Sequence, residues 1–307
     1  MTKMIIVTLL FFALSALNGY ASQKKTRPNC TVVIAADLHF DMPPETDQFH
    51  HVVAINTLGE HRKIDAVVLA GDLFDKSAPA ILDLYRRRWE RGADARQIHY
   101  DVYPCYGNHD ISPESGRPEL NKLGCEFNLH YLDSILIDKL NSGQIVNLHR
   151  PSRSYSYNIG GVHFVCAQLA FGDTSYSTDN MQWVEDDLKR FASDGTPVVF
   201  VQHYGFDGWA QEWWKKENRD RLMSLLGHYR LAAFLVGHTH ASSVETYQGC
   251  PIMQVNNAWD DGDGKASFVV LSIKGDRVSA DTYEVLDGEG HTRLLQPQIK
   301  MTIPINQ

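Results

Sequence analysis

Five apolar runs in this chain each end in carboxylate, amide or imidazole side chains, types that can ligate a metal ion. Thr31 to Ala36 runs into Asp37-Leu38-His39, Ala66 to Ala70 into Gly71-Asp72-Leu73-Phe74-Asp75, and Val102 to Tyr106 into Gly107-Asn108-His109-Asp110. Val198 to Gln202 ends at His203, and Leu231 to Val236 runs into Gly237-His238-Thr239-His240. Short apolar runs rich in β-branched residues and bounded by turn residues read as buried strands. Helical stretches lie between several of them, at Thr46 to Leu58, Ala80 to Glu90, Asn180 to Phe191 and Asn218 to Leu226. That alternation predicts an α/β architecture, which places its ligands outside the carboxyl ends of its strands. Singly the signals carry little, because Gly-Asp is a common turn and a histidine at a strand end is usually a hydrogen-bonded structural residue. Together they put such residues at five strand ends, from which separate loops can converge on one site.

Further strands are expected at Val162 to Gln168, Ser243 to Tyr247, Ile252 to Asn256, Ser267 to Ile273 and Arg277 to Val285. The acidic loop Asp260 to Gly264 resembles half of a calcium loop but lacks the flanking helices and the terminal Glu, so it reads as a hairpin turn. The polar tail from Gly288 gives no signal. There is no repeat and no Pro/Gly-rich linker, so residues 22–307 are expected to form a single domain. At the N-terminus, Lys3 precedes an apolar stretch from Met4 to Leu17, shorter than the ~20 residues needed to span a bilayer. Gly19-Tyr20-Ala21 supplies a small-x-small cleavage site. Residues 1–21 therefore read as a signal peptide, and the mature chain is expected to be secreted or periplasmic with no stable membrane anchor. The formal net charge of -8 argues against a partner held by phosphate neutralisation, so no nucleic acid is expected. Five cysteines allow at most two disulfides, and Cys105 and Cys166 fall in apolar runs where a small buried hydrophobe is the expected role.

The ordered set Asp-x-His, Gly-Asp-x-x-Asp, Gly-Asn-His-Asp, His and Gly-His-x-His, spanning Asp37 to His240, resembles the calcineurin-like metallophosphoesterases. The resemblance implies a four-layer α/β/β/α sandwich of two mixed β-sheets, with a dinuclear metal site at the strand C-terminal ends. It implies that Asp37, His39 and His240 hold one ion and that Asn108, His203 and His238 hold the other, with Asp72 bridging them. Oxygen and imidazole donors without thiolate suit Mn, Zn or Fe, as two divalent or mixed-valence ions, and a shared carboxylate offsets their repulsion. Such a pair can hold a bridging hydroxide as nucleophile toward a phosphoester substrate. His109 is then placed to stabilise the phosphoryl oxygen or protonate the leaving group, and Asp110 to orient His109. The chain departs from relatives in two places. Purple acid phosphatases carry Tyr where Asp75 stands, which removes the ferric-tyrosinate centre, and many relatives have Pro where Gly205 follows His203 and Tyr204.

The segment after His203 is aromatic, and Tyr204, Trp209, Trp213 and Trp214 are candidate substrate contacts, against the alternative of a lid packed on its own core. The function expected is a secreted phosphatase or phosphodiesterase acting on a small-molecule, lipid or sugar phosphate. A nuclease with the same centre and a non-catalytic metal-dependent binding protein are the alternatives, the first weakened by the acidic charge and the second by an intact ligand set.

Overall fold

A computed structural model of the chain describes residues 27–40, 45–75, 79–111, 118–174, 178–259, 266–295 and 299–304. The expected signal peptide and the Asp260 to Gly264 turn lie outside the described residues. Strands β1 (Asn29–Ala35), β2 (Ala66–Ala70) and β3 (Val102–Cys105) pair in parallel, joined by helices α1 (Glu45–His61) and α2 (Pro79–Trp89). Parallel neighbours require such crossovers, which is why apolar runs and helices alternate here. Strands β11 (Ser267–Lys274), β12 (Arg277–Val285), β13 (Thr292–Leu294) and β14 (Ile299–Thr302) extend this sheet antiparallel, in the order β13-β12-β11-β1-β2-β3 with β14 on β12.

The second sheet runs β4-β5-β6-β7-β8-β10-β9. Its strands are β4 (Asn147–His149), β5 (Ser154–Ile159), β6 (Val162–Cys166), β7 (Val198–Val201), β8 (Leu231–Val236), β9 (Ser243–Tyr247) and β10 (Cys250–Gln254). β6, β7, β8 and β10 are parallel, while β4, β5 and β9 are antiparallel. Helices α5 (Met181–Phe191) and α6 (Lys216–Leu226) supply crossovers.

Side-chain alternation sorts each strand's residues into two packing layers. Val32, Ile34, Val68, Phe164, Val199, Val201, Leu235, Val269 and Leu271 meet in one cluster between the sheets. Their neighbours Val33, Ala35, Val67, Leu69, Val165, Phe200 and Phe234 pack outward with Val52, Ile55, Trp89, Val184, Leu188 and Leu222 of the helices. The result is the α/β/β/α sandwich. Strands buried on both faces read as unbroken apolar runs, so the sequence showed them.

Elements with polar buried faces were not visible. In β5, Tyr155 and Tyr157 pack between the sheets, while Ser156 donates to Asp187 Oδ1 at 2.7 Å and Ser154 accepts from Asn180 Nδ2 at 3.0 Å. Helix α4 (Pro118–Asn141) buries Cys125, Leu132 and Leu136 but also Asn128, which interrupts the apolar stripe. Helix α3 (Asn108–Ile111) is a single turn opened by a candidate ligand. All five cysteines are free and buried, consistent with the role of small hydrophobes.

Candidate metal centre

The loops after β1 and β2 are zipped together beyond the sheet. Asp37 N donates to Gly71 O at 2.9 Å, His39 N to Asp72 O at 3.0 Å and Phe40 N to Leu73 O at 3.0 Å, so the two Asp-bearing turns run side by side. From the other sheet, Gly237 N donates to His203 O at 3.0 Å, and Asp37 accepts His238 N with both carboxylate oxygens at 3.0 Å. Asp37, His39, Asp72, His238 and His240 have φ of 50°, 41°, 50°, 84° and 48°. A left-handed backbone at a non-glycine residue costs ~1–2 kcal/mol, and its concentration at one edge marks a site whose geometry is held against local preference.

Two glycines make the close approach possible. A Cβ on Gly71, at φ +102°, would stand 2.2 Å from His203 Nδ1, and one on Gly107 would stand 2.2 Å from Asp72 Oδ1. The glycines of the second and third motifs are therefore the spaces into which the candidate ligands His203 and Asp72 fit.

Three groups of donor atoms result, each within 4.8 Å: Asp37, His39 and His240; Asp72, His203 and His238; and His39, Asp75 and His109. In the first, His39 Nε2 and His240 Nε2 face each other at 3.2 Å, with Asp37 Oδ1 at 3.9 and 3.7 Å from them. In the second, His203 Nδ1 lies 2.9 Å from Ala70 O, which turns Nε2 toward Asn108 Oδ1 and Asp72 Oδ2, both at 3.1 Å. His238 Nε2 is buried with no hydrogen-bond partner. Asp72 joins the groups: Oδ1 accepts His109 N–H at 2.9 Å, while Oδ2 lies 3.1 Å from His203 Nε2 and 3.6 Å from His39 Nε2. Donors that face one another and an orphaned imidazole nitrogen fit cations held by nitrogen and oxygen, and with no thiolate in the set the donors suit Mn, Zn or Fe.

The electrostatics agree with that fit. Asp37, Asp72, Asp75 and Asp110 are all buried at this edge. Burial pushes the Asp37 carboxyl up to about 8, against the pull of His203. Burial opposes a charge on His203, yet the Asp72 carboxylate outweighs it and raises the imidazole to about 9. His238 goes the other way: burial, then the charge of His203, lowers it to about 3, leaving a neutral ring suited to ligation. Asp72 is held below the usual carboxylate range, because His203 more than offsets its burial. Asp37 and His203 thus hold protons near neutral pH in place of a cation, and a bound metal ion would displace them, as expected of a buried cluster of carboxylates and imidazoles built for cations.

The expectation that Asp110 orients His109 is corrected. Asp110 is 0% exposed and accepts Gly107 N at 2.7 Å, Leu73 N at 3.1 Å and Phe74 N at 2.9 Å. Its carboxylate therefore clamps the second and third loops together. The partner of His109 is Asp75, whose Oδ1 lies 3.1 Å from Nδ1 and 3.6 Å from His39 Nδ1. Hydrogen bonding by His109 and His39 overcomes burial and keeps Asp75 below the ordinary carboxylate range.

The aromatic segment divides between core and surface. Trp214 is 1% exposed, donates Nε1–H to Phe171 O at 2.9 Å and packs edge-on against Phe206, so it is core and its expected substrate role is corrected. Tyr204 is buried against His238, its ring centroid 4.7 Å away. Trp209 stacks on His238 with centroids 4.7 Å apart and planes 5° from parallel, and Trp213 is exposed. Trp259, which sequence reasoning missed, lies edge-on to both His39 and His240 at 5.1 and 5.3 Å. It stands outside the five motifs, in the Asn257-Ala258-Trp259 segment whose Ala258 N donates to Asp37 O at 3.3 Å.

The profile of a family described as calcineurin-like phosphoesterase matches residues 30–242, a range that takes in every candidate ligand. A comparison with curated proteins finds no significant match. Among solved structures, the fold is similar to a dimetal phosphatase from Danio rerio, at 15% identity over 90% of this chain and 100% of that one, with a TM-score of 0.63. It is also similar to GAP50, the anchor in the inner membrane complex of Plasmodium, at 11% identity over 92% of this chain and 91% of that one, with a TM-score of 0.58. At these identities the likeness is one of fold.

Proposed function

Because the chain belongs to the calcineurin-like phosphoesterase family, we propose that it is a metal-dependent hydrolase that cleaves a phosphomonoester or phosphodiester of a small molecule, lipid or sugar outside the cytoplasm. Asp72 carries the reading: one carboxylate oxygen is fixed by a backbone N–H, and the other faces imidazoles of two separate donor groups. Two cations bound by Asp37, His39, His240, Asn108, His203 and His238 around Asp72 would supply Lewis-acid stabilisation of the phosphoryl oxygens and an activated water.

The remaining chemistry belongs to side chains. Asp75 Oδ1 holds His109 Nδ1, stabilises the imidazolium and fixes the plane of the ring. The proton on His109 Nε2 then passes to the leaving oxygen. Trp259 stands edge-on to His39 and His240, and Trp209 stacks on His238, so two indoles flank the candidate ligands.

Turnover of 4-nitrophenyl phosphate and of its bis ester, by protein reconstituted with manganese, zinc or iron and after chelation, tests the proposal. Metal-dependent hydrolysis is expected, and the ratio of the two rates separates monoesterase from diesterase. A protein that binds two metals and turns over neither ester would be a binding protein instead. Export rests on the short apolar segment and the Ala21 site. An intact mass beginning near Ser22 is expected for the exported chain, and retention of residues 1–21 in a membrane fraction would refute it.

A further inference from the structure

Of the large apolar side chains exposed among the described residues, two are Trp209 and Trp213, at 54% and 56%, and both stand on the loop that follows His203. The loop is fixed at both ends. Asp207 Oδ1 accepts Trp209 N and Ala210 N at 3.0 Å, and Gln211 N donates to Asp207 O at 3.0 Å. Phe206 packs on Phe234 and Tyr247, with centroids 5.1 and 4.5 Å away, while Trp214 is anchored to Phe171 O. Arg219 ties the far end by donating to Gln211 O at 3.1 Å and to Trp214 O. An indole displayed by so constrained a loop is preorganised, so little ordering entropy opposes a contact to it.

Its orientation gives that contact a direction. The inner face of Trp209 lies on His238, 5° from parallel, so the surface left to solvent is its outer face and edges. His238 belongs to the donor group of Asp72 and His203. The outer face is thus one ring beyond the candidate ligand, near enough to the cluster to meet a substituent carried by a phosphoryl group held there. A large apolar face kept in water beside a site is a place for a ligand ring to stack.

We propose that Trp209 is a substrate-binding residue that selects phosphoesters whose alcohol carries a flat ring, with that ring stacked on the outer indole face. The inference rests on the hydrolase reading for the word substrate, and the test separates the two. Calorimetric binding of phenylphosphonate and ethylphosphonate, which have no ester bond to cleave, is measured on the manganese-loaded full chain and on Trp209→Ala and Trp209→Phe. Wild type is expected to favour phenylphosphonate about tenfold, within the range known for stacking of a flat base on an aromatic side chain. Trp209→Ala brings the ratio to within about twofold of unity, and Trp209→Phe, which keeps a smaller ring, retains part of it. Equal affinities in wild type, or an unchanged ratio in Trp209→Ala, overturn the proposal; if Trp209→Ala does not fold, an unchanged ratio in Trp209→Phe does so. In parallel, kcat/KM is compared for phenyl phosphate and a nucleoside monophosphate against ethyl phosphate, which identifies the flat ring as aryl or base, with glucose 1-phosphate, whose ring is puckered, expected to gain no such preference. Ring preference in binding without turnover of any ester sinks the hydrolase reading and leaves the stacking site standing. Turnover with the same ring preference in Trp209→Ala sinks only the stacking site.

Discussion

Replacing Gly71 by Ala alters no candidate ligand, yet it should dismantle the centre. A Cβ at this position would lie 2.2 Å from His203 Nδ1, about 1.2 Å short of ordinary contact, and 2.6 and 2.9 Å from Cγ and Cβ of the same residue. His203 is 0% exposed and bonded to Ala70 O, so its ring has no free direction in which to move. The left-handed φ of +102° adds ~1–2 kcal/mol for any residue with a Cβ, and overpacking of a filled site typically adds ~1–3 kcal/mol. Destabilisation of about 2–5 kcal/mol is therefore expected. A displacement of about 1 Å in a group that positions the reaction is enough to cost ~10²-fold in turnover. Gly143→Ala separates the two contributions, since Gly143 has φ +74° but nothing within 4 Å of its Cβ; it should lose only the backbone part, ~1–2 kcal/mol, and keep its metals. Denaturant midpoints, metal content and turnover of 4-nitrophenyl phosphate are measured on both variants. Full metal content and undiminished turnover in Gly71→Ala would refute the packing of His203 against this turn.

The remaining predictions address the roles assigned within the cluster and one buried histidine away from it. Asp72→Asn removes the charge shared by the two donor groups, so metal content should fall together with activity; His109→Ala should keep both metals and lose ~10²–10⁴ in turnover, less for esters with good leaving groups. Loss of metal in His109→Ala with retention in Asp72→Asn would reverse the assignment. Asp110→Asn should destabilise the fold by ~1–3 kcal/mol, because the new amide group cannot accept all three backbone N–H bonds, whereas Asp75→Asn should lower turnover with little change in denaturant midpoint. His51, fully buried beside Phe268 and Trp89, is pushed by burial down to about 3. The unfolded chain therefore takes up a proton near pH 6.5 and the folded one does not until about pH 3, so stability falls as pH drops through that interval, by about 2 kcal/mol at pH 5. His51→Leu should flatten the loss between pH 7 and 5 by that amount, and equal pH dependence in both proteins would show that His51 is solvated.

What the sequence determined was local. Strands buried on both faces had to be apolar runs, and side chains at the carboxyl ends of runs such as Thr31 to Ala36 had to emerge at one edge, so Asp37, His39, Asp72, Asn108, His203, His238 and His240 were legible as candidate ligands with the fold class. Elements whose buried faces carry Ser156 or Asn128 escaped, because Ser156 Oγ and Asn128 Nδ2 donate to Asp187 and to Asp110 O, partners that no short-range pattern reveals. The tertiary structure alone decided which carboxylate serves His109. Asp110 is its neighbour in sequence, but the turn of α3 points that carboxylate at three backbone amides, while Asp75, 34 residues earlier, is brought to the imidazole by the pairing of β2 with β3. It alone divided Trp214, with its N–H bonded in the core, from Trp209, stacked outside on His238, and added Trp259 to the site. Periodicity along a chain reports which face a residue takes; a role in a site depends on distances between segments remote in sequence, which only packing sets.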